Sequence, residues 1–137
     1  MLRALHMPGV MLALSGGLMA CGTTERARAP MSPPPDAQYL GVQTRLLEGD
    51  LVSFVVRMDG ARGREDVIAY TRCAAAQYTL IRGYSFARHV RTNATQTAGI
   101  WQADGVYTIS PDLPLGLRNM DAEVIVEDCH EQGIPTV

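Results

Sequence analysis

The sequence contains no lysine, because all twelve of its basic residues are arginines. It is also poor in large aromatic side chains, with two phenylalanines and one tryptophan. The net charge is −2, whereas proteins that bind nucleic acid need a positive excess to displace the counterions of the phosphate backbone. We therefore expect no nucleic-acid partner. A GC-rich genome, which favours arginine codons, accounts for the missing lysines without a functional cause.

The sequence also lacks a hydrophobic run of the length that a membrane-spanning helix requires, which is about 20 apolar residues. A shorter apolar stretch, residues 10–20, follows the basic Arg3 and ends at Cys21. This length and order are typical of the hydrophobic region of a secretory signal. We therefore predict that residues 1–20 are a signal peptide and not part of the folded protein.

The end of this signal, Leu-Met-Ala-Cys at positions 18–21, resembles the lipobox of bacterial lipoproteins, in which an apolar and a small residue precede a cysteine. The resemblance implies that signal peptidase II cuts before Cys21, which then carries the lipid anchor. Gly22 follows, instead of the aspartate that retains lipoproteins in the inner membrane. The resemblance therefore implies the periplasmic face of the outer membrane. The alternative is an ordinary secretory signal with an incidental cysteine.

Residues 22–37 are polar, rich in proline and without periodicity. Such a composition is typical of a tether, which in extended geometry would reach roughly 50 Å at about 3.1 Å per residue. We therefore expect residues 21–37 to be the lipidated cysteine and its tether. The remaining residues, 38–137, are enough for a single domain with its own core.

The first half of this domain predicts a hairpin and a helix. Residues 51–58 alternate as in a strand that is packed on one side, and residues 39–47 can pair with it across the turn at 48–50. Residues 65–82 carry apolar side chains at helical spacing, and Gly83 is placed to end this helix.

Three further strands are predicted in the second half, at residues 85–95, 100–110 and 121–129. The resulting order is ββαβββ. Strands on both sides of one helix favour an α+β fold, with an antiparallel sheet of about five strands and one helix packed across a face.

Three segments of the domain, residues 70–92, 106–111 and 133–137, resemble small uncharacterised lipoproteins of GC-rich Gram-negative bacteria of the alphaproteobacterial type. The resemblance covers most of the folded domain. It implies a shared fold and a location in the cell envelope. It implies no catalytic residue, because the family has no assigned activity.

Two cysteines remain in the domain if Cys21 is lipidated, namely Cys73 and Cys129. Cysteines in an oxidising compartment usually pair, so we predict a disulfide between them. One alternative is a zinc site that also uses His89 and His130, but the close spacing of paired ligands that is typical of such sites is missing. The other alternative is two free thiols. We therefore expect no metal and no cofactor.

The local basic cluster at Arg88, His89 and Arg91 is a possible contact face for an anionic partner. Simple alternation along the strand would place His89 and Arg91 on one face and Phe86 and Val90 on the other. The alternative is a solvated strand face without a partner. No nucleophile, base and acid combine into a recognisable catalytic set.

These observations predict a lipid-anchored envelope protein that binds or scaffolds another envelope protein or a wall component, without catalysis. One alternative is a wall-modifying enzyme that uses acids such as Asp104 or Glu127. Another is a carrier of small ligands, which would need an apolar cavity between helix and sheet.

Overall fold

The structure is a computed structural model that describes residues 33–137. The predicted signal peptide, the lipidation site Cys21 and most of the predicted tether lie outside the described residues. The elements follow the order β1 (Gln38–Leu46), β2 (Leu51–Asp59), α1 (Arg64–Ile81), β3 (Phe86–Thr97), β4 (Ile100–Ser110), β5 (Asn119–Asp121) and α2 (Ala122–Glu131).

The five strands form one antiparallel sheet in the order β1-β2-β4-β3-β5. Two hairpins, β1-β2 and β3-β4, meet where β2 pairs with β4 in the centre. The predicted α+β class and the antiparallel sheet are therefore confirmed. The predicted order of elements is matched only approximately.

The core lies between the sheet and α1. Four side chains of β2 point into it, Val52, Phe54, Val56 and Met58, and none is more than 2% exposed. This confirms the alternation that the sequence predicts for β2. Along α1, all residues from Cys73 to Ala76 are buried. Since successive helical residues point about 100° apart, the helix must be covered on most of its circumference, by the sheet and by α2.

The strand predicted at residues 121–129 is wrong. The structure has a short strand, β5, which is followed directly by the helix α2. Asp121 begins this helix, because its carboxylate accepts hydrogen bonds from the backbone N–H groups of Glu123 and Val124. The fold therefore has two helices and not one, and Cys129 lies on the second helix.

The described end of the predicted tether, residues 33–37, lies against the domain. Pro34 is buried, and Pro33 lies next to Gly133 at the end of α2. The chain thus enters the domain beside the start of α1 and the end of α2. No helix within residues 33–137 is long and apolar enough to cross a membrane.

Candidate functional site

A β-bulge in β3 decides where the predicted basic cluster points. His89 pairs with Tyr107 and Arg91 pairs with Val106, so Val90 is an extra residue without a partner of its own. Such a residue reverses the alternation that follows it. The expectation that His89 and Arg91 share a face is therefore wrong. His89 lies on the side of α1, while Arg88 and Arg91 lie on the opposite side of the sheet.

The face of the sheet that α1 does not cover is called the open face below. It carries every charged side chain of strands β1 to β4, apart from the imidazole of His89. These are four arginines and two aspartates, namely Arg45, Arg57, Arg88, Arg91, Asp59 and Asp104. The open face is therefore basic, although the chain as a whole carries a net charge of −2.

Asp104 lies in the middle of the open face and links two strands that flank it. Its Oδ1 accepts a hydrogen bond of 2.7 Å from the hydroxyl of Ser53, and its Oδ2 lies 3.6 Å from Nη2 of Arg91. The other three arginines of the open face have no ion pair within residues 33–137. Arg45 donates a hydrogen bond of 2.8 Å to the side-chain carbonyl of Gln43, so within the described residues the charges of these three arginines are not balanced by a carboxylate.

A groove between α1 and the β3-β5 edge, called the α1–β5 groove below, lies on the other side of the sheet and has a volume of about 290 Å³. Its apolar lining comes from Ile68, Tyr107 and Met120. Its charged lining comes from Arg72, on α1, and Arg118, just before β5. Small-ligand sites commonly combine an apolar wall with a few polar groups in this way.

A short hydrogen-bonded network joins the floor of this groove to the strands. Nε2 of His89 and the hydroxyl of Thr92 are 2.8 Å apart, and the hydroxyls of Tyr107 and Thr71 are 3.4 Å apart. Burial raises the pKa of Tyr107, so its hydroxyl keeps its proton at neutral pH. Burial, together with the positive charge of Arg118, lowers the pKa of His89.

Arg118 has an unusual backbone conformation for a residue with a side chain. Its φ of 64° is in the left-handed region, which residues other than glycine enter at a cost of about 1–2 kcal/mol. Three hydrogen bonds hold the chain in place here. The carbonyl of Arg118 accepts a hydrogen bond from the N–H of His89, and the side-chain amide of Asn119 donates to the carbonyls of Pro114 and Gly116.

The two cysteines of the domain form a disulfide, which joins Cys73 on α1 to Cys129 on α2. The alternative of a zinc site does not agree with this pairing. Among residues 33–137, no three His, Cys, Asp or Glu side chains are close enough together to hold a metal ion. Asp104 and Glu127, the acids considered for an enzyme, lie on the open face and on the exposed surface of α2, respectively.

The model of a protein family, described as the YNQ4 C-terminal domain, matches residues 39–133. The chain belongs to this family. It is 30% identical over 117 residues to an uncharacterised 26.9 kDa protein in the nqo8 5′ region of Paracoccus denitrificans, an alignment that covers 80% of this chain and 46% of that protein. The chain thus spans about half the length of that relative. No solved structure matches this chain.

Membership of the YNQ4 C-terminal domain family confirms the predicted resemblance to uncharacterised alphaproteobacterial proteins, whereas lipidation stays a prediction. The α1–β5 groove was not predicted from the sequence. Arg72 lies within the helix predicted at residues 65–82, and Arg118 lies between the strands predicted at residues 100–110 and 121–129, so the sequence alone does not bring them together. The four-residue spacing of Ile68 and Arg72 on one helical face was the available signal.

Proposed function

We propose that this protein is a lipid-anchored protein of the cell envelope that binds the acidic surface of another envelope protein through the open face. The single observation that carries the proposal is the collection of four arginines on this face of a chain with a net negative charge. Complementary charge of this kind steers association and selects partners.

The shape and composition of the open face favour a protein over a wall polymer. Polar side chains such as Gln43, Thr95 and Gln102 lie between the arginines, and no tyrosine or tryptophan belongs to this face. Aromatic rings would supply flat apolar area against a sugar, and strands β1 to β4 offer the open face a single one, the half-buried ring of Phe86. Arginine, in contrast, matches the planar carboxylates of Asp and Glu with paired hydrogen bonds.

Anchoring is the second part of the proposal and rests on the N-terminal pattern that ends at Cys21. We expect the mature protein to carry an acyl mass on this residue and to sediment with outer membranes. A Cys21→Ser variant should lose both. Sedimentation and acyl mass that persist in the variant would contradict the anchor, while leaving the binding proposal intact.

The binding test needs a cross-linker that does not require amines, because the chain has no lysine. A benzophenone amino acid placed at Asn93, which is exposed on β3, can report contacts of the open face in living cells. The same group at Glu127, on the exposed surface of α2, provides the position control. After irradiation, adducts are purified in detergent and identified by mass spectrometry.

We expect a protein adduct at position 93 that is lost in an Arg88→Glu/Arg91→Glu variant. A matched pair, Arg72→Glu/Arg118→Glu, changes the same number of charges on the other side of the sheet and should keep the adduct. The cross-linked peptide of the partner should be rich in Asp and Glu. An adduct that is insensitive to the open-face arginines, or one made only of wall fragments, would contradict an acidic protein as the partner.

A further inference from the structure

We propose that the α1–β5 groove binds a small organic anion that has an apolar body and a single carboxylate or phosphate group. The groove is on the side of α1, and the open face is on the other side of the sheet. This inference is therefore independent of partner binding by the open face, and either can fail without the other. Its test in nanodiscs uses the proposed lipid anchor, which the acyl mass on Cys21 reports separately.

The α1–β5 groove carries two positive charges. Arg72 reaches it from the helix and Arg118 from the segment before β5, so the two cations belong to opposite walls. No acidic side chain lines the groove, and neither guanidinium has an ion pair within the described part of the chain. Two uncompensated guanidinium groups beside one cavity favour an anion, and their planar donors match a carboxylate or a phosphate.

The groove also has an apolar lining beside these two cations. The side chains of Ile68 and Met120 and the ring of Tyr107 provide a surface that an inorganic ion would not use. The volume of about 290 Å³ is at the lower limit of the usual range for ligand sites, which begins at about 300 Å³. The ligand should therefore be an amphipathic small molecule, such as an aromatic acid or an aromatic phosphate monoester.

The wall that carries Arg118 has a strained backbone conformation. Left-handed backbone at a residue with a side chain costs free energy, and such residues concentrate at ligand sites. The hydrogen bond from His89 N–H to the carbonyl of Arg118, 3.1 Å long, maintains this conformation. The fold thus holds the backbone of Arg118 in place beside the groove before any ligand arrives.

The experiment uses the full mature chain in nanodiscs of neutral phosphatidylcholine and measures binding by isothermal titration calorimetry, with empty nanodiscs as the blank. The probes are phenyl phosphate and benzoate, with benzyl alcohol as the neutral analogue and inorganic phosphate as the anion without an apolar body. We expect saturable binding of at least one of the two amphipathic anions, with an affinity about tenfold or more above that for benzyl alcohol and inorganic phosphate.

Replacing the groove arginines tests the site itself. In Arg72→Gln/Arg118→Gln we expect the affinity for the bound anion to fall by about tenfold or more, with the weak binding of benzyl alcohol unchanged. The control variant Arg88→Gln/Arg91→Gln removes two arginines from the open face and should bind as the unchanged protein does. An equal loss of affinity in both variants would show that the effect comes from the overall charge of the protein, and it would overturn the proposal.

A further arm separates a free ligand from a lipid headgroup with the same phosphate chemistry. The nanodiscs are prepared with phosphatidylglycerol in place of phosphatidylcholine, and phenyl phosphate is titrated again. Anion binding that is the same in both lipids supports a free ligand. Failure of every small probe in neutral nanodiscs would overturn the proposal, whatever the protein does with the anionic lipid.

Discussion

The imidazole ring of His89 lies edge-on to the phenol ring of Tyr107, with 5.1 Å between the ring centroids and 61° between the ring planes. Burial in this position, with the guanidinium of Arg118 nearby, lowers the pKa of His89 below its usual value of 6.5. The folded protein therefore takes up a proton on this ring less readily than the unfolded chain does.

This difference predicts a pH dependence of stability. Between the usual pKa of 6.5 and the lower pKa in the fold, the unfolded chain binds more protons, so the free energy of unfolding falls as the pH drops through this window. Above pH 6.5 the contribution of neutral His89 is fully present. His89→Gln should flatten the dependence, whereas His130→Gln, at an exposed site on α2, should keep it. Urea unfolding from pH 7.5 to 5 measures this, and parallel curves for His89→Gln and the unchanged protein would contradict it.

The disulfide between Cys73 and Cys129 should contribute a large part of the stability. The two residues are 56 positions apart, and in the chain-entropy model a loop of this size stabilises the fold by about 4 kcal/mol. We expect the Cys73→Ala/Cys129→Ala variant to unfold at a much lower urea concentration. A reducing agent should lower the midpoint of the unchanged protein but not that of the variant. Equal midpoints for both proteins before reduction would show that the bridge adds little.

The sequence predicts those parts of the fold in which local periodicity and tertiary burial agree. In β2 the alternation of Val52, Phe54, Val56 and Met58 matches their burial against α1, so this strand is predicted correctly. In α2, the β-branched residues from Val124 to Val126 favour a strand locally. Intrinsic propensities for helix and strand are weak, however, so the burial of side chains decides whether this segment forms a helix or a strand.

Burial in α2 follows a helical spacing, with Ala122, Ile125 and Cys129 pointing inward while Val124 is 55% exposed. That spacing was visible in the sequence, but it competed with an equally short strand pattern. The bulge at Val90 is different, since nothing in the alternation of β3 marks where an extra residue enters. The placement of His89 in the α1–β5 groove was therefore not predictable from the sequence alone.

The side chain of Asp121 caps the start of α2. Asp121 accepts hydrogen bonds of 3.1 and 3.3 Å from two N–H groups that would otherwise lack a partner in the helix. We expect Asp121→Ala to lower the free energy of unfolding by about 1 kcal/mol and Asp121→Asn to preserve most of it, since both Asp and Asn are good capping residues. Thermal unfolding followed by circular dichroism compares the two. An Ala variant as stable as the Asn variant would mean that the cap has no net effect.

Gly105 on β4 lies close to Thr71 of α1, beside Tyr107. A Cβ at this position would lie 3.0 Å from Cε2 of Tyr107 and 3.1 Å from Cβ of Thr71, which is tighter than ordinary van der Waals contact, so these side chains would have to shift by a few tenths of an ångström. Since both neighbours are fully buried, they have little room to move. We expect Gly105→Ala to destabilise the protein by about 1–3 kcal/mol, as overpacking of a core does.

A matched control for this substitution is Gly63→Ser, because Gly63 precedes α1 in an extended conformation and its nearest neighbour would be 3.7 Å away. Serine is a good capping residue there, so this variant should be at least as stable as the unchanged protein. Urea unfolding of both variants gives the comparison. If Gly105→Ala unfolds at the same midpoint as Gly63→Ser, then Tyr107 and Thr71 can separate freely. The wall of the α1–β5 groove that Tyr107 provides would then be adjustable and not fixed by the packing of β4 on α1.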